Sequence, residues 1–127
     1  MGVDRVPSPY SKGFSDTVVV SGSGRWIFVS GHVGADERGE LVSDSFRAEA
    51  DQCFKRIRQS LEAVGASMAD VIQITGFITN FDGLYADYAA SREAAFPIKV
   101  PASLAVEVTK LALGARVEVQ TIAFVAD

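Results

Sequence analysis

From Val100 to Phe124 the chain alternates residue character twice around a short loop. Ala102, Leu104, Val106 and Val108 alternate with Ser103, Ala105, Glu107 and Thr109. Val117, Val119, Thr121, Ala123 and Val125 then alternate with Glu118, Gln120, Ile122 and Phe124. A period of two is the signature of strands that lay one face on a core. Glu107 and Glu118 fall on the less apolar faces. A carboxylate within so apolar a strand has to be paired, solvated or held in a pocket.

The other elements follow from the same kind of reading. Thr17–Ser21 is expected to be a strand, Gly22-Ser23-Gly24-Arg25 a hairpin-type turn, and Trp26–Gly31 a second strand. Consecutive apolar residues in that second strand predict cover on both faces. Gly34–Val42 is a polar loop. Phe46, Ala50, Cys53, Phe54, Ile57, Leu61 and Val64 recur at steps of three and four, which predicts a helix over Phe46–Val64. Ser43 and Ser45 are candidate N-caps and Gly65 a left-handed C-terminal residue. Ser67-Met68-Ala69-Asp70 has capping-box spacing and leads into a strand over Val71–Asn80. A second helix, Gly83–Ala95, puts Leu84, Tyr88, Ser91 and Ala95 on one face and stops before Pro97. The order ββαβαββ predicts an α+β fold, with two helices on one face of a mixed sheet of about five to six strands.

The chain has 127 residues, expected to form one domain over 1–127, and a chain of this size buries about two-thirds of its unfolded surface. Its net charge is −4 and its lysines and arginines are scattered, the densest group being Lys55, Arg56 and Arg58. Phosphate-backbone binding relies on dense positive charge, so nucleic acid is not an expected partner. Cys53 is the only cysteine. It excludes an intrachain disulfide and, from its place on the helix stripe, reads as a small buried hydrophobe. The N-terminal residues carry no apolar signal region, Val6 breaks the myristoylation pattern, and no apolar run approaches the about 18 residues of a membrane span. The expected setting is the cytoplasm, with no membrane partner. One histidine, without clustered carboxylates at helical spacing, points to no metal site.

Four motifs in order resemble the Rid (YjgF) family over about Pro9 to Phe124: Pro9-Tyr10-Ser11-Lys12-Gly13, Phe28-Val29-Ser30-Gly31-His32, Leu61–Asp70 followed by Val71-Ile72, and Pro101–Val108 with Val117–Ala123. The resemblance implies a homotrimer around a central barrel, with the uncovered sheet faces enclosed and a small-molecule ligand bound in clefts between subunits. It implies cofactor-free hydrolysis of imines or enamines. Some relatives carry an older ribonuclease label, which this charge balance does not support. By match to the family pattern, Glu118 positions or activates water, Tyr10 lines the cleft, and Ser30 and Gly31 border the ligand. His32 stands where many relatives have glutamine and adds a group that exchanges protons near neutral pH. The family's arginine, which clamps a substrate carboxylate, is replaced by Ser103. A serine lines the pocket but does not reproduce bidentate pairing.

The candidate site is therefore Glu118, Tyr10 and His32 as catalytic residues, with Ser30, Gly31 and Ser103 against substrate. Lys99 and Arg92 are alternative anion anchors if they are not simply solvated charges, and Glu107 reads as structural at a subunit interface. No G-x-S-x-G elbow frames a serine nucleophile, and Gly22-Ser23-Gly24 precedes a strand, not the helix N-terminus of a phosphate loop. Two functions stay open: a hydrolytic deaminase of an imine, enamine or related C–N bond, or a non-catalytic trimer that binds a small metabolite or a partner protein.

Overall fold

The computed structural model describes residues 2–127. Six strands, β1 (Val3–Pro7), β2 (Ser15–Val20), β3 (Gly24–Val33), β4 (Val71–Ile78), β5 (Ala102–Glu107) and β6 (Val117–Ala126), form one mixed sheet in the order β1-β2-β5-β4-β6-β3. Helices α1 (Phe46–Glu62) and α2 (Phe81–Ala95) cover one face. The α+β arrangement of two helices on one face of a mixed sheet is thus present, with one strand more than the ββαβαββ pattern contained. That strand is β1, which pairs antiparallel with β2.

The β1–β2 pairing corrects the expected hairpin around Gly22. Gly22 does adopt a left-handed φ of 81°, but β2 and β3 lie at opposite sides of the sheet and do not pair. The hairpin loop of the fold is instead the segment 8–14, which carries Tyr10.

α1 forms where its apolar stripe predicts. Ser45 caps it by accepting the Ala48 N–H at 3.0 Å, which satisfies a donor that the first turn leaves free. Gly65 has φ 80°, and Val64 lies beyond the helix and is exposed. Asp70 accepts the Ser67 N–H at 2.9 Å, as the capping-box spacing predicts. Ala50, Cys53, Ile57 and Leu61 are fully buried against β3 and β6; burial of each large apolar side chain of this kind contributes about 1.5–3 kcal/mol. α2 begins two residues earlier than expected, at Phe81, because Asn80 accepts the Gly83 N–H. Glu107, read as an interface residue, accepts the Phe81 N–H at 2.9 Å. There it satisfies another unpaired donor and places a negative charge at the positive end of the α2 dipole.

β5 has the reverse of the facing its apolarity predicts. Ser103 stands in register with Ile74, and Ile74 with Thr121; both partners are buried on the helix side. Ala105 likewise stands beside Gly76, which lies under the Tyr88 hydroxyl of α2. Leu104 therefore points to the open face and is 58 % exposed. The expectation that β3 is covered on both faces also fails within the chain: Trp26 and Phe28 are 53 % and 73 % exposed. Among the described residues no helix is long and apolar enough to cross a membrane.

An ion pair between a half-exposed arginine and a buried glutamate fixes the entry to β6. Glu49 of α1, 2 % exposed, accepts the Arg116 Nε–H and the Arg116 backbone N–H, each at 2.8 Å. Removing the guanidinium leaves a buried carboxylate with only the backbone donor. Arg116→Ala is accordingly expected to destabilise the fold by about 3 kcal/mol in urea denaturation; a loss below about 1 kcal/mol would mean that the pair does not anchor β6.

Candidate active site

The site is organised by an irregularity in the β3–β6 ladder. Val29 pairs with Thr121 but His32 pairs with Val119. Three steps along β3 therefore oppose two along β6, which is the geometry of a β-bulge at Ser30-Gly31. One extra residue reverses the facing of everything after it. His32 takes the helix side with Val119, while Val33 stands opposite Glu118.

The bulge also brings the backbone of Gly31 against the Glu118 side chain. A Cβ at position 31 would collide with the Glu118 carboxylate. Glycine here lets the Glu118 carboxylate rest against bare backbone; a larger residue would push that side chain aside. Gly31, His32, Glu118 and Arg56 line a common cleft of about 380 Å³, rimmed by Asp36 and Leu113. Ser30 is exposed at the bulge beside it.

His32 is half-buried, and its Nε2 makes a 2.9 Å hydrogen bond with Ser60 Oγ of α1. Burial and, less strongly, the Arg56 guanidinium push its pKa below the ordinary 6.5, with Glu118 opposing. The imidazole is therefore neutral at pH 7. Behind it, Cys53 donates its thiol to the His32 carbonyl at 2.9 Å. Burial raises the Cys53 pKa to about 12, so this thiol stays protonated and is a packing group, as the helix stripe implies.

Tyr10 and Ser103 are elsewhere in the chain. Tyr10 is 87 % exposed in the 8–14 loop between β1 and β2, at the other side of the sheet from β3 and its bulge. Ser103 lies on β5 on the helix side, whereas Glu118, in register with Phe77, lies on the opposite face. The start of β5 is tied firmly to β1 and β2. The Val100 carbonyl accepts Ser15 Oγ–H at 2.6 Å and Arg5 Nη1–H at 2.9 Å, and Ser15 N–H donates to the Pro101 carbonyl. Within one chain, then, Ser30, Gly31, His32 and Glu118 gather at the β3 bulge, while Tyr10 lies in the β1–β2 loop and Ser103 lies apart from it on β5.

Of the two alternative cations, Lys99 is exposed and Arg92 is buried. Arg56, which the sequence shows only as part of its densest basic group, also lines the cleft. Its signal was available: it lies three residues after Cys53 and four before Ser60 on α1, hence on the face turned to His32.

The family described as Endoribonuclease L-PSP matches residues 7–125. The 2-iminobutanoate/2-iminopropanoate deaminase of Dermatophagoides farinae is 36 % identical over 100 residues, covering 78 % of this chain and 77 % of the relative. The human protein of the same name is 29 % identical over 117 residues, covering 87 % and 78 %. Among solved structures, a Yersinia pestis protein of unknown function in the conserved Rid family, YyfB, superimposes with a TM-score of 0.86 at 25 % identity, over 98 % of this chain and all of that one.

The lowered His32 pKa makes a prediction about stability. A histidine titrating lower in the folded chain means that the unfolded chain binds more protons between the two pKa values. The stabilisation is present above about pH 6.5 and is lost as the pH falls through the folded value. Urea denaturation between about pH 7.5 and pH 5 should show a steeper loss for the wild type than for His32→Gln. Equal slopes would show that His32 is not held neutral by its surroundings.

Proposed function

Since the chain belongs to the Endoribonuclease L-PSP family, in which the Rid proteins fall, we propose that it is a hydrolytic deaminase of a small imine or enamine, working in a cleft between subunits of a homotrimer. The observation that carries this reading is the packing of Glu118 on the bared backbone of Gly31 in a cleft shared with His32. A water molecule beside Glu118 would attack the electrophilic carbon of a protonated C=N group. Glu118 takes the proton that the water gives up, and a C–O bond forms as the C=N π bond moves to nitrogen. The same carboxyl returns the proton to the amine of the carbinolamine. Ammonia leaves as the C–N bond breaks and the C=O bond forms, and the hydroxyl proton passes by way of Glu118 to the ammonia, which departs as ammonium. His32, kept neutral by burial and Arg56, is suited to hydrogen-bond a ligand in this cleft without carrying charge.

The uncovered sheet face supports self-association. Trp26, Phe28 and Leu104 are exposed there, with Phe77, Val106 and Ile122 only partly buried beside them. An apolar face of this kind marks an association surface. Assembly also gives a reason for the split site. Tyr10 of one subunit, exposed in the 8–14 loop, would complete the cleft that Ser30, Gly31, His32 and Glu118 open in its neighbour. No arginine stands at position 103, and that favours a second reading, a trimer that binds a metabolite without turning it over.

Turnover by the wild type separates the two readings, and one variant tests the mechanism. Glu118→Gln should lower imine hydrolysis at least about 100-fold while sedimentation still reports a trimer. Unchanged hydrolysis would remove Glu118 from the mechanism, and a monomer in the wild type would remove the intersubunit cleft. Gly31→Ala should act through the same atoms, displacing the Glu118 carboxylate and lowering turnover with little change in urea midpoint. Retained turnover there would show that the close approach is dispensable.

A further inference from the structure

The loop between β5 and β6 holds the one non-glycine among the described residues with a left-handed backbone, Leu113, at φ 63° and ψ 12°. In that conformation its Cβ crowds the following carbonyl oxygen. It also lacks the short polar side chain with which asparagine or aspartate offsets the crowding. Gly114 follows at φ 73°, so the turn takes two left-handed residues in succession. Both ends of the loop are held. Val108 N–H donates to the Ile78 carbonyl at 2.9 Å, and Ala115 N–H donates to the Ala112 carbonyl at 3.1 Å. Ala115 is buried, and Arg116 after it is bound by Glu49. Backbone strain persists only where the surrounding structure imposes it, and it clusters at functional sites.

The leucine side chain does not offset this strain by burial. It is 70 % exposed and lies outside the core cluster. Glycine would take the same φ without crowding. What the side chain does border is the cleft. Leu113 and Ala112 line it together with His32, Arg56 and Glu118. The first two present hydrocarbon, and the other three present polar or charged groups. A site with apolar surface beside a few polar groups orients its ligand, with the reacting atoms at the polar groups and the hydrocarbon on the apolar wall. The two parts are rigidly related, because the anchored Arg116 stands between Leu113 and Glu118 in the chain.

We propose that Leu113 is a specificity-determining residue. Its side chain forms the wall on which the hydrocarbon side chain of the imine lies, so the cleft selects a branched aliphatic substrate over one that carries only a methyl group. The assignment rests on the deaminase reading for the reaction, and on the strained, exposed leucine for the preference. Each methylene taken from water is worth about fourfold in affinity at full burial. An isobutyl group has three carbons more than a methyl group, so partial burial against an open wall still gives a preference of at least about tenfold.

The test compares imines made in place by an amino-acid oxidase from leucine and from alanine, with semicarbazide as the competing trap. Wild-type kcat/KM should be at least about tenfold higher for the leucine-derived imine. Leu113→Gly and Leu113→Asn both suit the left-handed backbone. Each should bring the ratio to within about threefold of unity, through a raised KM for the leucine-derived imine, while the urea midpoint does not fall. A wild type without the preference would overturn the proposal, as would a preference that survives both substitutions. A lower midpoint, or a trimer lost in sedimentation, with both imines slowed alike would assign the leucine to the fold or the subunit contact and overturn it too. If the wild type hydrolyses neither imine, the deaminase reading falls by itself and calorimetry decides the wall. The product of the leucine-derived imine, 4-methyl-2-oxopentanoate, should bind the wild type at least about tenfold more tightly than 2-oxopropanoate does, and Leu113→Gly should lose that difference. Equal binding of the two acids by the wild type, or binding of neither, would overturn the proposal.

Discussion

The arrangement of the candidate site depends on one extra residue in β3. Without the bulge at Ser30-Gly31, the alternation that buries Val29 would continue, and residue 32 would face away from α1. With it, His32 turns to Ser60, Val33 stands opposite Glu118, and the bare backbone of Gly31 is left for the Glu118 carboxylate to approach. The strand opposite must be equally well placed. Glu49 provides that by holding Arg116 two residues before Glu118, through both backbone and side chain. An ion pair that ties α1 to the start of β6 thereby places a carboxylate at the cleft. The same helix supplies Ser60 and Arg56, so three features of the cleft share one rigid support.

The legible parts of the fold were those where apolar periodicity is strong and local. α1 followed its stripe, β6 followed its alternation, and Ser45, Gly65 and Asp70 took the capping positions their chemistry favours. β1 was missed because Val3–Pro7 is five residues with two charges and a proline, which gives no stripe to read. β5 was read with the wrong face inward because its more apolar side, Leu104 and Val106, is the side left open in the single chain. Apolarity marks what is to be covered, and it does not say by which element. Pairing order is likewise set by tertiary register, so glycines at 22 and 24 suggested a hairpin that the sheet does not contain.

Site residues show a similar division. The grouping of Gly31, His32 and Glu118 could be anticipated from motif order, but the bulge that turns His32 toward α1 could not, because a bulge is a relation between two strands. The burial of Arg92 was more accessible than the reading allowed. Arg92 stands four residues after Tyr88 and three before Ala95, within the buried face of α2. Glu107 offered no such signal, since its partner is the backbone N–H of Phe81, twenty-six positions away.

The account stands on turnover of an imine in this cleft. The direct measurement is competition in which an amino-acid oxidase generates imines from a series of amino acids, semicarbazide traps them, and the purified protein competes for them. The account predicts slower semicarbazone formation with the wild type, with a side-chain preference across the series and no slowing by Glu118→Gln. Semicarbazone formation unchanged by the wild type for every amino acid tested would contradict it and leave the fold as a binding trimer.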